Sequence, residues 1–344
     1  MSATAESERG PTLFRDGTRH VAPRIYALDP FVDSLPEALA HAAGSGFGHV
    51  LLPPPFEPGG EGDPSLPASL ERAHPAFGGG PVREAIQSVA ALCRARGLAL
   101  LFDVALDRLS GACADEVGAQ APFVRHETHG LDPRRPPEER DLTRAVLDTE
   151  ADAERLGTWW AQRLSRWHAA GADGFRLTGM GRVPGHLLPA LLGSVRAGCG
   201  ATLFAWTPGL PWEVLAALPR GCVDLVASSL PWWDYRGEWL WHELGLLRRV
   251  APVVSGPAVP FEAAAPEDRA VHDRALYVSA VLSEGWLLPA DFERPEDGGV
   301  IAALNAVRTT GPVDPLAGAC VPLLGPGQPV AAVLRADAPD PRGA

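Results

Sequence analysis

The chain has 344 residues, 46% of them hydrophobic and 21% charged, a composition that excludes disorder, collagen-like repeats and a disulfide-stapled miniprotein. All 30 basic residues are arginine, and 42 acidic residues leave a net charge of −12, so nucleic acid and anionic membranes are disfavoured as partners. Met1 to Gly10 lacks an apolar signal core and no long apolar run follows, while Cys93, Cys113, Cys199, Cys222 and Cys320 form no close pair; a cytoplasmic protein with reduced thiols is expected.

In chain order, short β-branched or leucine-rich runs alternate with amphipathic stretches, the pattern of successive βα units. A strand over Arg24 to Ala27 precedes a helix over Leu35 to Ala43, and His49 to Pro53 precedes Pro81 to Arg96. Leu98 to Val104 leads to Thr149 to Ala170, Gly174 to Thr178 to Pro184 to Ala197, and Thr202 to Trp206 to Trp212 to Leu218. Asp224 to Leu230, Pro252 to Ser255 and Gly285 to Pro289 are followed by helices over Gly237 to Arg249, Glu267 to Ser283 and Gly298 to Val307. Eight pairs in this order predict a closed α/β architecture, a (β/α)8 TIM barrel of about 250 residues with additions. The expected organisation is an N-terminal extension over 1–22, a barrel over 23–309 and a Pro/Gly-rich tail over 310–344. Residues 105–148 are too long for an ordinary βα loop and predict an excursion over the barrel mouth. In the tail, Pro329 to Arg335 reads as one more strand, either the start of a β domain or a frayed end.

Four segments carry a family signal. Gly171-Ala-Asp-Gly-Phe-Arg-Leu-Thr178 resembles the fourth-strand motif of the α-amylase superfamily, glycoside hydrolase family 13, which reads Gly-Phe-Arg-hydrophobic-Asp. Leu101 to Arg108, Leu203 to Thr207 and Gly256 to Phe261 fall in register with its third-strand, fifth-strand and post-seventh-strand motifs. Ser228 to Arg236 and Ser283 to Glu293 are similar to the family-13 domains associated with bacterial maltose-1-phosphate-dependent maltosyltransferases.

Family-13 hydrolysis is retaining and needs a nucleophilic carboxylate and an acid/base carboxyl about 5–5.5 Å apart. The resemblance implies that Thr178 stands at the nucleophile position, a weak nucleophile without a neighbouring base. Trp206 stands at the acid/base position and has no proton to exchange near neutral pH. Pro260 and Phe261 replace the His-Asp pair that holds sugar hydroxyls, and Asp107 and Arg108 stand where the family has Asn and His. No catalytic residue is therefore expected at the family positions. Asp103 and Arg176 are retained, which implies either a barrel-interior ion pair or a kept sugar contact. Trp206, Trp212, Trp232 and Trp233 fall at or just past strand ends, where aromatic faces suit sugars and packing is the plain alternative. The substrate-binding candidates are Asp103, Arg176, Trp206, Trp232 and Trp233.

No cofactor or metal is expected. The glycines of Gly179 to Gly185 miss dinucleotide spacing by one position and no acidic residue follows for a ribose. His126 and His129, which flank Glu127, lack a third partner on a regular element. Together these features imply a catalytically degenerate α-amylase-like barrel that binds or scaffolds α-glucan in bacterial glycogen or maltooligosaccharide metabolism, beside a maltosyltransferase-like or other glucan enzyme. The alternative is an active α-glucan hydrolase or maltosyltransferase that recruits carboxylates from Asp103, Asp107, Glu262, Asp291 or Glu293.

Overall fold

The computed structural model describes residues 23–29, 34–59, 63–118, 121–125, 142–261 and 265–309, with short strands at 15–16, 19–20, 319–322 and 333–336. Eight parallel strands close into a barrel: Arg24–Ala27, His49–Leu52, Ala99–Ala105, Gly174–Thr178, Thr202–Ala205, Leu225–Ala227, Val253–Ser255 and Gly285–Pro289. They are called the first to eighth barrel strands below. The last pairs with the first through Trp286 to Pro289 against Arg24 to Ala27, which closes the ring and leaves no exposed edge.

Alternation along each strand separates two apolar layers. Ile25, Leu51, Leu101, Phe204, Leu225, Val254 and Leu287 fill the lumen, while Tyr26, Val50, Phe102, Phe175, Leu203, Val226 and Trp286 pack under the helices. On the fourth strand this phase turns Phe175 and Leu177 outward and leaves Gly174, Arg176 and Thr178 on the lumen side.

The long helix Glu150–Ala170 starts at a capping box, Thr149 with Asp152, which satisfies two otherwise orphan N–H groups. It buries Trp160 and Trp167 with Leu156 and Leu164, so these tryptophans are core. Its approach to the helix Leu188–Gly198 is close enough that a Cβ on Gly157 would lie 2.5 Å from the Leu191 carbonyl oxygen. The helix expected from Pro184 begins instead as a 3-10 turn, Gly185–Leu187, before regular helix at Leu188.

Two additions flank the mouth. An antiparallel hairpin, Phe56–Gly59 with Asp63–Ala73, follows the second barrel strand; the proline-rich sequence shows no alternation there, and the hairpin is irregular in register. The expected excursion holds a three-stranded antiparallel sheet of Arg108–Ser110, Leu142–Ala145 and Phe123–Arg125, with Leu142–Ala145 central. His126, Glu127 and His129 lie outside the described residues, as does Glu262. In the tail, Val333–Ala336 pairs antiparallel with Ala319–Pro322. Among the described residues no helix is long and apolar enough to cross a membrane.

Candidate functional site

The C-terminal ends of the barrel strands form the face where barrels of this kind carry chemistry. On that face the third and fourth strands run in register, Asp103 opposite Arg176. The guanidinium grips the carboxylate through two parallel bonds, Nε to Oδ1 at 2.6 Å and Nη2 to Oδ2 at 2.5 Å. Both residues are buried, 4% and 7% exposed. Burial holds the Asp103 carboxyl above its ordinary range, and the charge and hydrogen bonds of Arg176 oppose that shift.

Two aromatic rings cover the same guanidinium. Its central carbon lies 4.7 Å from the Trp206 ring and 5.6 Å from the Phe261 ring, within cation–π reach. Both rings also rest on the apolar lumen. Phe261 takes a φ of 68°, a left-handed conformation that a bulky residue rarely adopts; its ring lies over Arg176. The space enclosed by Phe204, Trp206, Ser228, Pro231, Pro260 and Leu287 is about 10 Å³, the size of about one water.

Asp107 on this face and Glu293 just past the eighth strand are engaged elsewhere, while Asp291 is exposed. Asp107 is 5% exposed, with Oδ1 3.3 Å from Arg108 Nε and Oδ2 3.4 Å from Arg182 Nη1. Burial raises its carboxyl and Arg108 pulls it back. It lies so near the fourth-strand exit that a Cβ on Gly179, φ 80°, would stand 1.9 Å from Oδ1. Only glycine fits both that conformation and that gap. Glu293 accepts the Tyr26 hydroxyl at 2.7 Å and approaches His41 Nε2 at 3.0 Å. Because Tyr26 belongs to the layer under the helices, Glu293 sits outside the barrel wall, away from the lumen. Thr178 is half-buried, its hydroxyl 3.4 Å from the Val104 carbonyl of the neighbouring strand.

The tryptophans divide. Trp233 is 6% exposed, packs against Tyr235 and Trp241 and donates its indole N–H to the Gly237 carbonyl at 2.8 Å. This corrects the expectation of a sugar-facing ring, since burial and a satisfied N–H make it a packing residue. Trp232 is 55% exposed and Trp212 46%. Trp212 lines a cleft of about 380 Å³ with Leu210, Glu213, Ser229, Trp239 and Glu243. The cleft lies between the loops after the fifth and sixth strands. The buried Glu243 carboxylate accepts the Ser229 backbone N–H at 2.9 Å and its hydroxyl at 2.5 Å. Desolvation raises its carboxyl, and these bonds oppose the rise. The sequence flagged Trp212 as a strand-end aromatic, but Trp239 and Glu243 sit within an amphipathic helix and carried no local signal.

One group among the described residues, His272, Asp273 and Asp297, has ligand atoms within 4.8 Å of one another. It lies among the helices and Arg269 already supplies a cation, 2.7 Å from Asp273 and 3.4 Å from Asp297. The Gly179 segment forms a short 3-10 turn, Met180–Arg182, rather than the helix start a dinucleotide phosphate needs.

No protein-family model matches the chain. A curated relative, the alpha-1,4-glucan:maltose-1-phosphate maltosyltransferase of Burkholderia pseudomallei (strain K96243), is 31% identical over 356 residues, covering 91% of this chain and 31% of that protein. The chain thus spans under a third of the length of the relative it matches, and over that span the two are homologous. A Nostoc punctiforme debranching enzyme soaked with acarbose superposes with a TM-score of 0.65 at 14% identity, over 92% of this chain and 86% of that one. The Geobacillus thermoleovorans α-amylase complexed with acarbose gives 0.63 at 12% identity, over 92% and 84%. These likenesses establish the α-amylase (β/α)8 fold.

Proposed function

We propose that this chain, a maltosyltransferase homologue built on the α-amylase fold, is a non-catalytic α-glucan-binding or scaffolding barrel in bacterial glycogen or maltooligosaccharide metabolism, working beside a maltosyltransferase-like or other glucan enzyme. The observation that carries this reading is the Arg176 guanidinium, clamped by Asp103 and covered by Trp206 and Phe261. In a retaining glycosidase the centre of the mouth must admit a sugar between two carboxyl groups. Here Trp206 and Phe261 lie over Arg176, and the small pocket beside Trp206 has room for about one water. Asp103 and Asp107 each meet an arginine, so neither is poised as a free nucleophile or a proton donor.

Glucan contact moves to the rim in this reading. The cleft between Trp212 and Trp239 has a size within the range of small-molecule sites. It pairs aromatic faces, which suit the apolar faces of sugars, with carboxylates that accept hydroxyl protons. The exposed Trp232 extends the aromatic surface of this face. The test is titration of the full chain with maltoheptaose and glycogen, alongside reducing-sugar and maltosyl-transfer assays. Binding without turnover is expected. Turnover that Asp103→Asn abolishes would overturn the reading and establish an enzyme.

A further inference from the structure

A cavity with a charged lining lies on the opposite face of the barrel. It measures about 520 Å³ and is lined by Arg196, Arg220 and Arg248 with Asp224 and Glu284. Arg196 and Arg248 lie in the last turns of the helices before the fifth and seventh strands, Arg220 in the turn before the sixth, and Asp224 and Glu284 immediately before the sixth and eighth. Barrel chemistry belongs to the other face, and this one ordinarily serves stability alone. Three arginines line one cavity on this face.

The two carboxylates are already engaged in structure. Asp224 Oδ2 accepts Arg196 Nη1 at 2.7 Å and the Leu203 backbone N–H at 2.8 Å. Glu284 accepts Arg248 Nε at 2.8 Å and the Val253 backbone N–H at 3.1 Å. Each acid thus ties an arginine to a strand start, which orients the guanidinium and leaves some of its N–H groups unused. Arg248 Nη2 is buried and without a hydrogen-bond partner, so this guanidinium is incompletely satisfied within the protein. Arg220 is exposed at the rim and makes no ion pair among the described residues. Three guanidiniums against two carboxylates leave one positive charge in excess, in a chain whose net charge is −12.

We propose that this cavity is a binding site for a small organic phosphate, separate from the glucan face. A phosphate presents several oxygens to guanidinium forks that arrive from different directions, where Arg196 and Arg248 are pre-oriented and Arg220 closes from the rim. The volume exceeds what inorganic phosphate alone needs, and Val223, Val250 and Pro252 offer apolar wall for the ligand's carbon body. Because the site lies across the barrel from the Trp212 cleft, phosphate and glucan bind without competing.

Isothermal titration of the full chain with glycerol phosphate, ribose phosphate and inorganic phosphate, with glycerate as a carboxylate of similar body, tests this. The organic phosphates should bind more tightly than glycerate, and Arg220→Ala should weaken them about tenfold with unfolding unchanged, since Arg220 makes no structural pair. Prior saturation with maltoheptaose should leave that affinity unaltered. No heat with any phosphate up to about 10 mM, or binding that Arg220→Ala leaves intact, would overturn the proposal. Arg248→Gln provides a second reading: its loss of phosphate affinity should exceed any shift in the unfolding midpoint.

Discussion

Replacing Arg176 by Met removes the cation from Asp103 while keeping an unbranched chain under Trp206 and Phe261. Two short charge-assisted bonds are lost, at about 1.5–3 kcal/mol each, and loss of one partner of a buried pair costs about 3–5 kcal/mol. A deficit of about 3–5 kcal/mol near neutral pH is therefore expected. It should depend on pH in a definite direction. Burial already raises the Asp103 carboxyl and Arg176 is what opposes the rise, so in the variant the folded-state pKa climbs further above the unfolded value of about 3.9. A carboxyl raised on folding favours the folded state at low pH and penalises it increasingly as pH climbs through the folded pKa. The deficit against the parent should be large at about pH 8 and shrink at about pH 5. Urea unfolding followed by tryptophan fluorescence at both values gives the comparison, and Asp103→Leu with Arg176→Met should recover most of the loss because no unpaired charge remains. A single-variant deficit under about 1 kcal/mol, or one equal at the two pH values, refutes the argument that the pair is held by mutual neutralisation.

Thr178→Asp should release no reducing sugar from maltoheptaose above the parent's blank if, as proposed, the barrel is non-catalytic with Trp206 at the acid/base position, because catalytic groups act as a set. Gly179→Ala should lower stability by more than about 1 kcal/mol, the left-handed backbone cost alone, since its Cβ would also strike Asp107; thermal unfolding measures this. Trp233→Ala should cost about 3–5 kcal/mol, whereas Trp232→Ala should stay within about 0.5 kcal/mol, a contrast between neighbours that one denaturation series reads. Trp212→Ala should weaken maltoheptaose about two- to twelvefold, the loss of about 0.5–1.5 kcal/mol of ring contact, with little change in unfolding; an unchanged affinity would remove the rim cleft from the glucan reading.

How much was legible in the residues follows from how far each feature reaches along the chain. Barrel strands and helices are local, and alternation over four to seven residues sufficed to place Arg24–Ala27, Gly174–Thr178 and Gly285–Pro289 where the structure has them. The motif residues Thr178, Trp206 and Phe261 were legible for the same reason, as was the expectation that Asp103 and Arg176 lie near each other. Other features have no local period. The proline-rich hairpin after the second strand lacks alternation, and Trp232 and Trp233 are neighbours in an irregular turn where nothing in the pattern says which ring is buried. Glu293 read as a strand-end carboxylate beside the mouth, yet the outward phase of Tyr26 carries it behind the barrel wall. Sequence by itself determined the barrel and the motif residues at its strand ends. Only the tertiary structure decided what those side chains do: closure of the ring brings Arg176, Asp103, Trp206 and Phe261 together from separate strands and loops, and it gathers three arginines from distant elements at the opposite end. Burial and pairing depend on such long-range approach, which no run of neighbouring residues encodes.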